Sequence, residues 1–509
     1  MPGISWVLAS TSASEIGDIE RFATPKKLAG STGLCPIVRQ SGNRDVRGPL
    51  AKNGPKYLRW ARIEAATPAC RNARYYERWR NWQRRPVGTC RLSQVGAFAA
   101  SRATWILRIP AASYCPSVPA VRRAVRIFTD AEMRRRLELV SRGLQERGVE
   151  VAVLHTPDHV YYTTAVPLLS AWGRPMWAVV WADGRVAIIG AMIENETMER
   201  YAWADEIRAY DDEENVWSAS LRIVSDLIEG HRRTPRRIGV ERRFLAVDTR
   251  DALAGLIDAE QVDVADILFQ ARLIKSDEEI ALLQLGGEIG KIGANAFLEA
   301  LTPGTTELAI AGHAVAEMNR ALGALHPDAA TSSYAYCQLG EHTLSPHRHP
   351  SSRRLRPGDI VALNVFPVVW GYCMELERTY VYGDPTADQR AALTAATEAF
   401  DVAKGLYRPG KSIAELHAEA TAVLELAGFG AYVRHGTGHA HGIMVGAAGR
   451  EELGELRSYN PGIVRPGMVN SIEPGIYLPG LGGFRHSDVM VATEDGARLL
   501  TEFPVDVAL

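Results

Sequence analysis

Gly358-Asp-Ile-Val-Ala-Leu-Asn364-Val-Phe-Pro367 and, after three intervening residues, Gly371-Tyr-Cys-Met-Glu375-Leu-Glu377-Arg-Thr379 form the stretch whose reading decides the fold. It predicts two strands, over 360–369 and 372–382. Asn364, Glu375 and Glu377 are set within it. Upstream lies Ser345-Pro-His347-Arg-His-Pro350. Downstream lie His435-Gly-Thr-Gly-His439, Ser471-Ile-Glu-Pro-Gly475 and Gly482-Gly-Phe-Arg-His-Ser-Asp488. Each segment alone is a weak signal. Their order together carries the reading.

The flanking sequence supplies helices. Ser276 and Glu279 make a capping-box pattern before a helix running to about residue 301, which Pro303-Gly304 ends. Thr306 opens a second helix, and Ser412 with Glu415 repeats the capping pattern before a third, ending at Gly428. The run Gly287-Glu-Ile-Gly-Lys-Ile-Gly293 superficially resembles a phosphate loop. It lacks the Ser/Thr after Lys291 and lies inside a helical pattern, so it is discounted. Upstream, Thr129 heads a helix to about Gly148. Strand-like runs follow at 149–154, 177–181, 186–189 and 238–241, with a helix-like run at 216–229. This is an α/β pattern.

A chain of 509 residues suggests two or three domains. Its 46% hydrophobic and 23% charged content is ordinary for a soluble globular protein. No apolar run reaches the roughly 18 residues of a membrane span, and the start lacks the basic and apolar regions of a signal peptide. Six cysteines without a C-x-x-C pair make no disulfide or zinc framework. A cytoplasmic protein without a membrane partner is expected. The net charge of -1 hides a split: residues 1–127 hold 22 basic against 6 acidic side chains, and 18 of the 22 are Arg. Runs such as 71–85 mix Arg, Trp and Tyr without a clean period. Such a segment could be a nucleic-acid arm, since Arg and aromatics suit phosphates and bases. The favoured expectation is an unassigned basic extension, disordered or read from a mis-set start, with no nucleic-acid partner.

Taken together, the segments resemble the pita-bread superfamily of aminopeptidase P, prolidase and methionine aminopeptidase. In those enzymes two Asp, one His and two Glu hold two divalent ions that generate a hydroxide. The matching positions here are Asn364, Glu375, His439, Glu473 and Ser487. Asn offers only a neutral carbonyl and Ser a neutral hydroxyl, whereas hard cations want carboxylates. A dinuclear site is therefore not expected, and no metal cofactor is expected. The place of a second family histidine falls at Gly446.

The same departures resemble creatinase, the metal-independent branch that hydrolyses creatine. Gly173-Arg174-Pro175 and Ile274-Lys275-Ser276 add to that likeness, which covers about residues 128–505. The resemblance implies that His347 is the catalytic proton carrier and that Glu377 and Glu473 grip a guanidinium. It further implies that Arg450 binds a substrate carboxylate, and that Trp172 and Arg174 reach the active site of the other subunit of a homodimer. Paired Glu suits a planar cation and an Arg fork suits a carboxylate. One His near neutral pH can activate water and then protonate the leaving nitrogen. A tyrosine beside the substrate in that family is Cys373 here, and a histidine near the end is Ser487, with His486 one residue earlier. His439 completes the expected substrate-binding set.

Plainer readings stand beside these. His349 reads as a loop histidine, His435 and His441 as loop residues supporting His439, and Glu375, Glu377 and Arg378 as one salt-bridged strand face. The expectation is an extension over 1–127, an α/β creatinase/prolidase-type domain over 128–272, and an α+β pita-bread catalytic domain over 273–509. The expected activity is metal-free hydrolysis of a non-peptide C–N bond in a small guanidino or amidine compound. The alternatives are an Xaa-Pro peptidase-like enzyme using Mn²⁺ or a similar ion at an altered site, and a non-catalytic binding protein.

Overall fold

The computed structural model of the chain describes residues 36–41, 44–50, 125–167, 174–211, 215–230, 234–329, 331–445, 452–506 and 509. The chain divides into two units, Met1–Val121 and Arg122–Leu509. In the first, strands β1 (Pro36–Ser41) and β2 (Arg44–Leu50) pair antiparallel, with Ser41 opposite Arg44. The rest of the basic segment up to residue 124 lies outside the described residues.

The second unit opens with the helix Asp130–Glu146, whose cap Thr129 accepts the Glu132 N–H on its hydroxyl. Six strands follow: β3 (Val151–Leu154), β4 (Trp177–Trp181), β5 (Val186–Ala191), β6 (Glu206–Tyr210), β7 (Arg237–Val240) and β8 (Glu260–Asp263). They form one sheet in the order β6-β5-β4-β3-β7-β8. Only β4 runs antiparallel to its neighbours. Strand side chains alternate between faces. Val151, Val153, Trp177 and Val179 therefore share one core with Leu221, Val224 and Ile228 of the helix Val216–Glu229. Ala152, Leu154, Ala178 and Val180 share the other with Leu137, Val140 and Leu144 of the first helix. Apolar residues on both faces are what a sheet covered on both sides requires.

The second part of this unit begins at the helix Asp277–Glu299, with the Ser276–Glu279 capping box formed in both directions. Its glycine run is a packing device. A Cβ at Gly287 would sit 2.1 Å from the Leu500 carbonyl oxygen, and one at Gly293 would meet the Met318 side chain at 2.6 Å. The helix Glu307–Leu325 lies beside it.

The deciding stretch forms more strands than the two expected. With β9 (Tyr334–Leu339), they are β10 (Ile360–Phe366), β11 (Val368–Val369), β12 (Tyr372–Cys373) and β13 (Leu376–Val381). Pro367, which has no N–H to give a ladder, separates β10 from β11. Trp370 and Gly371, at φ 49° and 78°, close the two-residue hairpin between β11 and β12. Positive φ at both positions matches the twist of the flanking strands. Strands β13, β10 and β9 form an antiparallel sheet. After the helices Ala387–Leu406 and Ile413–Leu426 come β14 (Val469–Ile472), β15 (Gly475–Leu478), β16 (Gly482–Arg485), β17 (Asp488–Thr493) and β18 (Gly496–Leu499). Bridges Glu377↔Ser487 and Ala440↔Asn470 link these pieces into one layer. Val361, Leu363 and Val365 pack toward the first helix pair, and Ile360 toward the second.

The two parts are joined by a buried charge network. Arg136 is fully buried, lies 2.7 Å from Glu132, and donates to the Tyr372 hydroxyl at 3.0 Å. Tyr372 in turn donates to Glu279 at 2.8 Å. Its neighbour Cys373 lines the site described below.

His486, one residue before Ser487, points away from Glu377. It lies under the helix Ala387–Leu406, with Nε2 3.2 Å from the Thr397 hydroxyl and its ring against Phe400. Burial, aided by Arg378 and Lys404, pushes it down to about 3 from an ordinary 6.5. The native state thus binds fewer protons than the unfolded chain in that window. Stability from this group is whole above about pH 6.5 and is lost as pH falls toward about 3. The unfolding free energy from urea titration should drop by roughly 3 kcal/mol between pH 7 and pH 4, and by clearly less in His486→Asn. An equal drop in both proteins would contradict the assignment.

Candidate active site

A cavity of about 420 Å³ opens where β9, β10, β13 and β14 converge, and His347, Cys373, Glu375, Glu377, His439 and Glu473 all line it. The sequence segments are thus brought together. Trp172 and Arg450 lie outside the described residues. Arg174 precedes β4 and is not part of the cavity wall.

His347 stands on the turn after the short 3₁₀ helix Gly340–Leu344. Two buried residues hold that loop. Gln338, at the end of β9, donates its amide to the carbonyls on either side of His347, Pro346 at 3.2 Å and Arg348 at 2.9 Å. Glu307 accepts from the Leu339 N–H, and from the N–H and hydroxyl of Ser351. The amide nitrogen of Asn364, paired across the sheet with Tyr336 and Glu377, donates to Gln338 Oε1 at 2.7 Å. Asn364 therefore acts on the His347 loop, through Gln338. His349 packs its ring against Tyr336, as a loop residue.

The acidic side of the cavity holds three buried carboxylates. Arg485, unrecognised in the sequence, grips Glu377 with both arms: Nε to Oε2 at 2.6 Å and Nη2 to Oε1 at 2.6 Å. Its Nη1 lies 3.4 Å from Glu473 and 3.4 Å from the Tyr477 hydroxyl. Burial pushes Glu377 up to about 8, with Glu375 and Glu473 adding to the rise against the pull of Arg485. Burial would also raise Glu375, but His439 and His441 beside it hold it well below the usual carboxylate range. Burial likewise pushes the Cys373 thiol far up, so it is a neutral wall group at neutral pH.

The expected single salt-bridged face is not formed. Arg378 alternates to the opposite side of β13 and pairs with Asp488 at 2.8 Å. His435 supports Tyr477 rather than His439: its Nε2 lies 2.8 Å from the Tyr477 hydroxyl, and its Nδ1 lies 2.8 Å from the Gly436 carbonyl. Gly438 is required in this loop, because a Cβ there would lie 1.9 Å from the Ser471 carbonyl oxygen. His441 reaches the same Glu375 oxygen as His439, at 3.4 Å. Arg434 and Arg457 add positive charge to the wall, and neither was read from the sequence. Side chains in this outer shell carry no motif. Only the fold shows that Arg485, two residues before Ser487, turns inward.

Two of the five peptidase ligand positions do not fit a pair of divalent ions. Ser487 uses its hydroxyl proton to donate to Glu375 at 2.6 Å. Asn364 directs its amide nitrogen to Gln338. Donors for one ion are nonetheless present, since single atoms of Glu375, His439 and His441 lie within 4.8 Å of one another. The expectation of a site without metal is therefore not supported.

Residues 281–494 match metallopeptidase family M24, and residues 136–274 match the creatinase/prolidase N-terminal domain. Residues 1–80 separately match the transposase IS116/IS110/IS902 family. A creatinase of Bacillus sp. (strain B-0618) is 31% identical over 386 residues, covering 74% of this chain and 92% of that one. A putative dipeptidase of Bacillus subtilis is 28% identical, covering 74% and 99%. An Xaa-Pro dipeptidase of Lactobacillus delbrueckii is 29% identical, covering 72% and 96%. Among solved structures, dipeptidase PepE from Mycobacterium ulcerans superposes with a TM-score of 0.63 at 27% identity, over 75% of this chain and 98% of that one. With the creatinase-type domain leading into the sheet and helix pairs that hold this cavity, the chain belongs to the M24 family of pita-bread hydrolases.

Proposed function

We propose that this M24 hydrolase is creatinase-like and breaks a non-peptide C–N bond in a small guanidino or amidine compound, creatine or a relative, with His347 carrying the proton. The observation that carries this reading is the shared cavity of His347, Glu377 and Glu473 beside altered ligand positions at Asn364 and Ser487. Three carboxyl groups gathered beside the single Arg485 offer the acceptor oxygens that suit a planar cation. Arg434 and Arg457 offer an anchor for an anionic end, alongside the Arg450 implied by the family. In the reaction His347 takes a proton from water, the water oxygen bonds to the amidine carbon, the C–N bond breaks, and His347 returns the proton to the leaving nitrogen. Direct assay of creatine, guanidino acids, cyclic amidines and Xaa-Pro dipeptides tests this. Turnover confined to the dipeptides would overturn it.

A second reading, an Xaa-Pro dipeptidase-like metalloenzyme, is favoured by the Glu375, His439 and His441 donors and by the dipeptidases among the relatives. It predicts dipeptide cleavage that Mn²⁺ or a similar ion restores after chelation.

Arg174 can contribute only from elsewhere, because it does not line the cavity of its own chain. The proposal is a homodimer in which Arg174 and Trp172 of each subunit complete the other's site. Arg174→Ala and His347→Ala proteins, each inactive, should regain part of the activity when subunits exchange, since one site of a mixed dimer then has both residues intact. No recovery after proven exchange would refute the shared site.

The proposal assigns catalysis to the domains over 128–272 and 273–509. A truncated chain beginning near Ala124 should fold cooperatively and keep its activity. An inactive truncation beside an active full chain would show that the basic segment takes part.

A further inference from the structure

We infer that Glu375, His439 and His441 form a mononuclear site for a divalent transition ion of borderline softness such as Zn²⁺, distinct from the five-ligand dinuclear site of the family. His441 has no place in that ligand set, and it stands two residues beyond the histidine that does. It is buried, at 5% exposure, and its Nε2 makes no hydrogen bond. That nitrogen points at Glu375 Oε2 from 3.4 Å.

The ring orientations support the site. His441 Nδ1 lies 3.2 Å from the Cys373 carbonyl oxygen, and His439 Nδ1 lies 3.1 Å from the Ala440 carbonyl oxygen. A carbonyl can only accept, so in each ring Nδ1 carries the proton. Both Nε2 atoms then face the same carboxylate oxygen, the arrangement of three donors around one ion. Metal-bound histidines are held in this way, with the remote N–H given to a carbonyl.

The spacing agrees. Two ligands each about 2.1 Å from a tetrahedral ion lie about 3.4 Å apart. Both Nε2–Oε2 separations are 3.4 Å. Two imidazoles and one carboxylate suit Zn²⁺, Co²⁺ or Fe²⁺ over the all-oxygen preferences of Mg²⁺ and Ca²⁺. All three side chains line the cavity, so the ion would stand on its wall. Ser487 donates to the other Glu375 oxygen, Oε1, and so orients the carboxylate without competing for the ion.

The test uses the full chain, stripped by a chelator and dialysed, then titrated with Zn²⁺ by calorimetry and with Co²⁺ by visible absorption. One equivalent should bind, with Co²⁺ showing the intense bands of a low-symmetry, nitrogen-containing site. Loss of an outer partner of a metal histidine already costs about 10–100-fold in affinity, so His441→Leu should weaken binding by more than about 100-fold. Its circular dichroism should stay native. His441→Gln serves if the Leu protein fails to fold. Ser487→Ala should still bind one equivalent. Absence of uptake, uptake of two equivalents, or unchanged affinity in both His441 variants would overturn the site. The last result would place an ion on Glu375, Glu377 and Glu473 instead. The readout is binding, so a failure here leaves the His347 reading standing, and the reverse holds.

Discussion

Replacing His347 with alanine is expected to lower turnover by about 10²–10⁴-fold while substrate still binds. The imidazole lies in the cavity wall, on a loop that Gln338 and Glu307 hold from within. Acceptance of a proton from water and its return to a leaving nitrogen need one group of near-neutral pKa at one place. Removal of the ring leaves the carboxylates and Arg434 in position, so KM should change much less than kcat. Single-turnover kinetics beside equilibrium binding would separate the two. A variant that keeps more than about a tenth of the wild-type rate would remove His347 from the chemistry. His349 is not a ready substitute, because its ring packs on Tyr336.

The largest effect on stability is expected from Arg485→Met. Breaking a buried, two-armed ion pair leaves a charge without its partner, at a cost of about 3–5 kcal/mol. Here the orphan is Glu377, already pushed up to about 8 by burial and by two carboxylate neighbours. It can escape by taking a proton, and that escape becomes harder as pH rises. The loss measured by urea unfolding should therefore be larger at pH 8.5 than at pH 6, a window set by the raised Glu377. In Glu377→Gln with Arg485→Met, the combined loss should fall short of the sum of the single losses by more than about 1.5 kcal/mol. Additive losses that do not vary with pH would mean that Arg485 contributes packing alone.

Much of the framework was legible because it rests on local rules. The caps at Thr129, Ser276 and Thr306 each depend on a side chain three residues from its partner N–H, and all three form. The inward set His347, Glu375, Glu377, His439 and Glu473 could be read as one site because the order of the segments belongs to a known family. What escaped depends on direction in space. Glu377 and Arg378 are adjacent in sequence but lie on opposite faces of a strand. His486 and Arg485 likewise part company, one toward Phe400 and the other toward Glu377. His441 looked like a supporting loop residue because nothing in its spacing shows that it and His439 aim at one oxygen. The expectation of a metal-free site rests on the donors lost at Asn364 and Ser487. It gave no weight to His441, whose Nε2 lies 3.4 Å from Glu375 Oε2.

The bond between Asn364 and Gln338 also limits the changes this protein can accept. An aspartate at position 364 would restore a missing carboxylate, yet it would set a negative charge against Gln338 Oε1, now 2.7 Å from the Asn364 amide. Gln338 could relieve that only by flipping its amide, which would turn its oxygen toward the carbonyls of Pro346 and Arg348. The loop that carries His347 would then keep Glu307 but lose its Gln338 anchor. A single substitution toward the peptidase ligand set thus loosens that loop before a second substitution at Ser487 could complete the set. One side-chain amide couples the two positions, so neither can be changed alone at no cost to the other.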